Sequence, residues 1–213
     1  VVFDLDGTLL NTLTDLADAG NRLCRKYGWP THERQAYRYF VGNGIPKLVE
    51  RLAPADQRTP AVLEAALADF KRDYGQHLRD TTAPYPGIPE MLAKLKANDV
   101  QLAVFSNKAD ALAKEVVKDY FGTQYFTIVR GQMTGVAPKP AAEGTNALLQ
   151  ALHADPASTL YVGDSNVDVE TAHNANLPCC GAVWGFRTRE ELNAAGAEYL
   201  AENSDELYDV IMK

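Results

Sequence analysis

Cysteine is scarce in this chain and carries no pattern: Cys24 stands alone and Cys179 adjoins Cys180. An odd count without metal-type spacing excludes a disulfide framework and leaves three small apolar side chains suited to a reducing compartment. The four histidines, His32, His77, His153 and His173, share no ligand spacing, so no histidine-centred site is expected. No apolar run approaches the roughly 20 residues that span a bilayer, and no basic segment with a cleavage site precedes the first apolar run. Positive charge is in deficit, with 21 Lys and Arg against 28 Asp and Glu. A net charge of −7 disfavours nonspecific binding to nucleic acid or acidic membranes. No fixed-period repeat is present. These absences point to a cytoplasmic protein that acts on a small molecule, with neither nucleic acid nor membrane as partner; monomer and homodimer stay open. The chain opens inside an apolar run at Val1 without a Met, and a few preceding residues are expected.

What is present suffices for one substantial core and a smaller satellite: 213 residues, 46% hydrophobic and 23% charged. The opening run Val1-Val2-Phe3-Asp4-Leu5-Asp6-Gly7-Thr8 places two carboxylates two residues apart. In extended backbone such side chains share a side. Gly7 then permits a sharp turn whose N–H groups, with Thr8, can approach an anion. Paired Asp oxygens facing an anion need a cation between them, and hard carboxylate oxygens suit Mg²⁺. With charge neutralised, one carboxylate can attack phosphorus while the other serves the leaving alcohol. A polar Asp-x-Asp-Gly turn is the plain alternative.

Three distant segments supply what that turn would not explain. Leu102-Ala103-Val104-Phe105 ends in Ser106-Asn107, a hydroxyl and an amide where open α/β sheets bind ligands; taken alone, Ser106 reads as an N-cap for a helix from about Ala109. Pro138-Lys139-Pro140 holds a lysine in a preset backbone, and a fixed ammonium suits a transferring phosphoryl group. Tyr161-Val162-Gly163-Asp164 ends a buried-type strand, and Asp168, one helical turn on, can lean toward the same metal or simply favour a helix N-terminus.

Together, Asp4-x-Asp6-Gly7-Thr8, Ser106-Asn107, Lys139 and Gly163-Asp164-Ser165-x-x-Asp168 resemble the four motifs of the haloacid dehalogenase-like hydrolases, over essentially the whole chain. Asp4-Leu5-Asp6-Gly7-Thr8-Leu9, Val41-Gly42-Asn43-Gly44, Val183-Trp184-Gly185-Phe186-Arg187 and Arg189-Glu190-Glu191-Leu192 resemble the phosphoglycolate phosphatase-like branch. The resemblance implies Asp4 as nucleophile and Asp6 as general acid and base. It also implies that Ser106 and Lys139 hold phosphoryl oxygens, that Asp4, Asp164 and the Asp6 carbonyl hold Mg²⁺, and that Asp168 acts through a water or through a hydrogen bond behind the ligands. The implied reaction is Mg²⁺-dependent hydrolysis of a small phosphate monoester, 2-phosphoglycolate first. A β-phosphoglucomutase-like transfer, or a phosphatase for pyrophosphate, nucleotides or sugar phosphates, is the alternative. Asn11-Thr12, and Ala141-Ala142 after Lys139-Pro140, depart from the family pattern without removing a catalytic group.

The implied fold is α/β: a doubly wound, mainly parallel Rossmann-like sheet from 1–11 and 84–213, with an all-helical cap, 12–83, inserted after the first strand. Helical stripes support the insert: Leu16, Ala19, Leu23, Cys24, Tyr27, closed by Gly28 and Pro30, and Leu63, Ala66, Leu67, Phe70, Tyr74, opened by Pro60. Tyr37, Tyr39, Phe40, Phe70 and Tyr74 are expected to form its core. Strands are expected near 102–105, 125–129, 160–162, 181–184 and 198–200, with helices between. A closing cap would exclude stray water, with hinges near 11–13 and 82–87. Asn43 and Lys47 are the cap candidates for substrate contact; an ordinary loop before a helix near Pro46 explains them equally. Arg187 is a further candidate for a carboxylate.

Overall fold

The apolar opening run folds as β1 (Val2–Phe3), with both side chains fully buried. The computed structural model describes all 213 residues. A short strand, β2 (Leu10–Asn11), leads into four helices: α1 (Leu13–Tyr27), α2 (Arg34–Phe40), α3 (Ile45–Leu52) and α4 (Pro60–Gln76). A second short strand, β3 (Ala83–Pro84), and α5 (Ile88–Ala97) bring the chain to regular alternation. It then runs β4 (Leu102–Ala109), α6 (Asp110–Phe121), β5 (Phe126–Gln132), α7 (Ala142–Leu152), β6 (Tyr161–Gly163), α8 (Asn166–Asn174), β7 (Cys179–Ala182), α9 (Arg189–Ala195), β8 (Tyr199–Ala201) and α10 (Ser204–Ile211).

Six strands make one parallel sheet in the order β5-β4-β1-β6-β7-β8, while β2 and β3 pair separately. Val2 lies between Ala103 and Tyr161, so β1 is central and the strand order turns about it. Parallel strands buried on both faces read as unbroken apolar runs, which is why Leu102–Phe105 shows no alternation. Val2, Ala103, Phe105 and Tyr161 pack with Leu148, Leu149 and Leu152 of α7 and Val169 and Ala172 of α8. In an open α/β sheet, ligands bind beyond the carboxyl ends of the strands at such a turning point. The residues after β1, in the last part of β4 and after β6 meet there.

The chain divides into two compact units, 1–11 with 84–213, and 12–83. Within 12–83 the helical stripes are buried at Leu16, Ala19, Leu23 and Cys24 of α1 and at Ala66, Phe70 and Tyr74 of α4. Gly28 ends α1 in the left-handed conformation, φ 69°, that glycine adopts without strain. Tyr37 is fully buried, but Tyr39, expected beside it in the core, is 49% exposed. Two residues along a helix turn the side chain about 200°, so burying Tyr37 turns Tyr39 outward.

The prolines and glycine of 81–87 suggest only a linker, yet the structure gives this stretch β3 and a buried polar clasp. The Asp15 carboxylate, on the first turn of α1, accepts from the backbone N–H of Thr81 (2.9 Å) and of Thr82 (2.9 Å). It also accepts from both threonine hydroxyls, at 2.5 and 2.7 Å. The two ends of the insert are thereby tied by one side chain. Burial works to raise the Asp15 pKa, and the Thr81 and Thr82 donors overcome it and hold it below the ordinary 3.8. The stability this contributes is complete above that value and is lost as pH falls through the lowered one. Asp15→Ala removes the charged acceptor that the exposed Thr81 and the buried Thr82 share, and an expected loss of about 3 kcal/mol follows from losing hydrogen bonds to a charged group. Urea unfolding at pH 7 checks it; a loss below about 1 kcal/mol would show that the clasp is replaced by water.

Candidate active site

Asp4 follows β1, is 7% exposed, and has its Oδ1 2.8 Å from the Lys139 ammonium. The same ammonium lies 2.7 Å from Asp168 Oδ1 and donates to the Tyr161 hydroxyl at 3.2 Å. Lys139 is held from outside its own loop as well. Asn107, at the carboxyl end of β4, accepts from the Lys139 N–H at 2.8 Å and donates to the Lys139 carbonyl at 3.2 Å. One side-chain amide thus fixes the lysine's peptide while two carboxylates fix its tip.

Asp164, after β6, is buried, and each of its oxygens has a donor: Thr8 Oγ1 to Oδ1 at 3.1 Å and Phe186 N–H to Oδ2 at 2.7 Å. Thr8 therefore turns its hydroxyl to a carboxylate rather than outward. The Val183–Arg187 stretch wraps this corner, since the Trp184 indole also donates to the Thr8 carbonyl at 3.0 Å. Gly7 (φ 93°) and Gly185 approach Asp164 so closely that a Cβ on either would overlap its side chain. Only glycine fits at these positions.

Asp168 caps the start of α8 and pairs with Lys139. Its Oδ2 accepts from Ser165 N–H (3.1 Å) and Ser165 Oγ (2.6 Å) at the start of α8, and its Oδ1 is left for Lys139. Helix capping and charge placement use different oxygens of one carboxylate. Ser106 does not cap α6, which begins four residues later behind Ala109; its Oγ accepts from the Lys108 N–H at 3.2 Å. Asp6, 14% exposed at its side chain, pairs with the Lys108 ammonium at 3.1 Å. Asp4, Asp6, Ser106, Asn107, Lys139, Asp164 and Asp168 are joined in one region.

The two cap candidates are engaged within 12–83. Asn43 Oδ1 accepts from Arg51 at 2.9 Å, and Lys47 pairs with Glu50 at 2.8 Å on an exposed helix face. Tyr161 and Lys108 are site residues that the motif reading passed over. A phenol inside the apolar run Leu160–Val162 is the signal for the first, because a buried tyrosine hydroxyl needs a partner. A lysine directly after Ser106-Asn107 at the end of an apolar strand is the signal for the second.

Burial raises the Asp4 carboxyl to about 7, with Asp168 and Asp6 adding to the rise and the Lys139 ammonium opposing it. Burial, Asp168 and Asp4 likewise drive Asp164 well above the ordinary carboxylate range. Burial disfavours the Lys139 charge, yet Asp168 and Asp4 outweigh it and hold the ammonium well above its usual pKa. Three carboxylates, Asp4, Asp164 and Asp168, offer oxygens within 4.8 Å of one another. Asp4 Oδ1, though close to Lys139, is buried without an aligned hydrogen bond. Hard oxygen donors, an acceptor left over, and four linked carboxylates against two ammonium groups fit one divalent cation of the Mg²⁺ type. Such a constellation can hold a phosphoryl group, attack it and protonate what leaves.

Comparison with known proteins agrees with this chemistry. The profile of the haloacid dehalogenase-like hydrolase family matches residues 1–182. Among curated relatives, a phosphoglycolate phosphatase of Chromobacterium violaceum is 31% identical over 99% of this chain and 95% of its own. One of Vibrio parahaemolyticus is 28% identical with the same coverage. A crystal structure from Lactobacillus delbrueckii subsp. bulgaricus, of a protein assigned as a phosphoglycolate phosphatase, superposes with a TM-score of 0.92. It is 27% identical and matches 99% of this chain and 96% of that one. Family, fold and the assembled carboxylates coincide: this chain belongs to the haloacid dehalogenase-like hydrolases and is a phosphatase.

Proposed function

We propose that the chain hydrolyses phosphate monoesters of small acidic metabolites, 2-phosphoglycolate foremost, through an aspartyl-phosphate on Asp4 and with Mg²⁺. The observation that carries this is the placement of Asp4, Lys139, Asp168 and Asp164 together at the carboxyl ends of β1 and β6. The names of the curated relatives support the choice of substrate.

An Asp4 oxygen forms a bond to phosphorus as the ester P–O bond breaks, and Asp6 gives its proton to the departing alkoxide. Asp6, now a carboxylate, takes a proton from water as that water attacks phosphorus and frees Asp4. Lys139 orients Asp4 and, with Ser106, neutralises equatorial phosphoryl oxygens. Asp4 and Asp164, with the Asp6 carbonyl, would hold Mg²⁺, and Asp168 would act behind them; the ion supplies positive charge against the phosphoryl group. The reaction needs no partner beyond the small phosphorylated metabolite, and a reducing cytoplasm suits the three buried free thiols.

Measuring phosphate release over small phosphorylated acids, sugars, nucleotides and pyrophosphate tests the substrate. Highest kcat/KM on 2-phosphoglycolate is expected; a nucleotide or pyrophosphate in first place would overturn the substrate while keeping the chemistry. Conversion of a sugar phosphate to its isomer with little free phosphate would instead mark a mutase.

Metal binding has a predicted pH dependence. Without the cation, the folded state keeps a proton on Asp4 that the unfolded chain releases above 3.8, so this contribution to stability declines as pH rises toward about 7. The cation requires ionised carboxylates and displaces that proton, so its affinity grows across the same window. The Tm gain from Mg²⁺ is expected to be larger at pH 8 than at pH 6. An equal gain at both would contradict the raised Asp4 pKa.

A further inference from the structure

Lys108, near the end of β4, has a side chain only 2% exposed, and its ammonium donates to both Asp6 oxygens, at 3.1 and 3.4 Å. This pair stands at odds with the work proposed for Asp6. While it lasts, the Asp6 carboxylate is turned to Lys108 and not to a leaving oxygen. Simply pulling Asp6 away would take a counter-charge from a buried ammonium, which is unfavourable. The pair opens without that penalty when another anion takes Asp6's place.

We propose that Lys108 determines specificity by exchanging Asp6 for a carboxylate that the substrate carries on the carbon bearing its ester oxygen, which frees the Asp6 carboxylate to take up a proton from solvent and turn toward the leaving group. The substrate class is the phosphate esters of 2-hydroxy acids. In such an ester one carbon separates the carboxylate from the ester oxygen, so the two groups can meet two side chains that are themselves 3.1 Å apart. A neutral ester offers Lys108 nothing, and Asp6 stays held. Selectivity then arises because only the acid replaces the carboxylate that Asp6 withdraws from the buried ammonium, so only the acid gains a free Asp6 for its leaving group. The inference rests on the proposed use of Asp4 and Asp6 and adds to it the residue that reads the acid.

Two esters of equal length test it: 2-phosphoglycolate and 2-hydroxyethyl phosphate, with wild type, Lys108→Met and Lys108→Arg, each checked for fold by circular dichroism. Wild type is expected to favour the acid, by kcat/KM, by about 10²- to 10⁴-fold, the scale of gaining or losing a general acid. Lys108→Met is expected to lose most of that preference, its loss falling on the acid far more than on the neutral ester. Lys108→Arg, which keeps the cation, is expected to retain part of it. Equal losses on both esters in Lys108→Met would overturn the inference and leave the hydrolase reading standing, as would a folded wild type without preference. Activity on other monoesters with none on either of these would overturn the substrate reading instead. Should Lys108→Met not fold, the wild-type ratio and Lys108→Arg still decide.

Discussion

Asp4→Asn is expected to lower kcat by roughly 10⁴-fold or more, on the scale seen when other enzymes lose a nucleophile. The amide has the shape of the carboxylate, so the surroundings of Lys139 and Asp168 persist while the attacking oxygen is gone. The fold gives a way to separate lost chemistry from lost structure. Because burial holds the Asp4 pKa at about 7, ionising it at pH 8 costs stability, and a neutral side chain there removes that cost. Asp4→Asn at pH 8, without added metal, is therefore expected to melt no lower than wild type. Steady-state rates beside thermal unfolding check both halves; near-normal turnover would remove Asp4 from the reaction.

Lys139→Met is expected to be damaging in two respects. Its ammonium, 2% exposed, is the charge that lies between Asp4 and Asp168, at 2.8 and 2.7 Å. Methionine keeps much of the packing but leaves buried carboxylates facing one another, and breaking a buried pair costs about 3–5 kcal/mol. Turnover is expected to fall by about 10²- to 10³-fold, as for loss of one preorganised electrostatic contact. Adding Asp168→Asn to Lys139→Met is expected to recover part of the lost stability, because it removes one of the stranded charges. Mg²⁺ is expected to do the same by supplying charge. An unchanged urea midpoint for Lys139→Met would mean that the neighbouring carboxylates are already protonated and that the ion pairs contribute little.

The parts of the site legible in sequence are those fixed by backbone geometry. Asp4 and Asp164 each follow a short apolar strand directly, and a parallel sheet has one edge at which such residues meet. The compact unit 12–83 is a stretch whose apolar residues follow helical spacing without alternation. Side-chain pairings across the sheet were not legible. Nothing local says that Asn107 grips the Lys139 peptide, that Thr8 faces Asp164, or that Asp15 gathers Thr81 and Thr82, because each partner is 32 or more residues away. Asp168 shows the limit from another side: its helix-capping reading explained it fully, and the second use of the same carboxylate appears only when Lys139 is in place. Tyr39 lies outside the core because the helical turn that buries Tyr37 directs it to solvent, which residue type alone does not reveal. The β2–β3 pair is not legible because two-residue strands carry no periodicity.

A covalent phosphoryl group on Asp4 is the intermediate on which the mechanism turns, and Asp6→Asn is the variant in which to look for it. With a good leaving group, such as p-nitrophenolate, attack by Asp4 needs little protonation, whereas the second step lacks its base and slows. Acid quenching during turnover, followed by peptide mapping of the labelled protein, is expected to find phosphate on Asp4 and none on Asp4→Asn. Label on another residue, or a full turnover with no labelled protein at any time, would contradict the account.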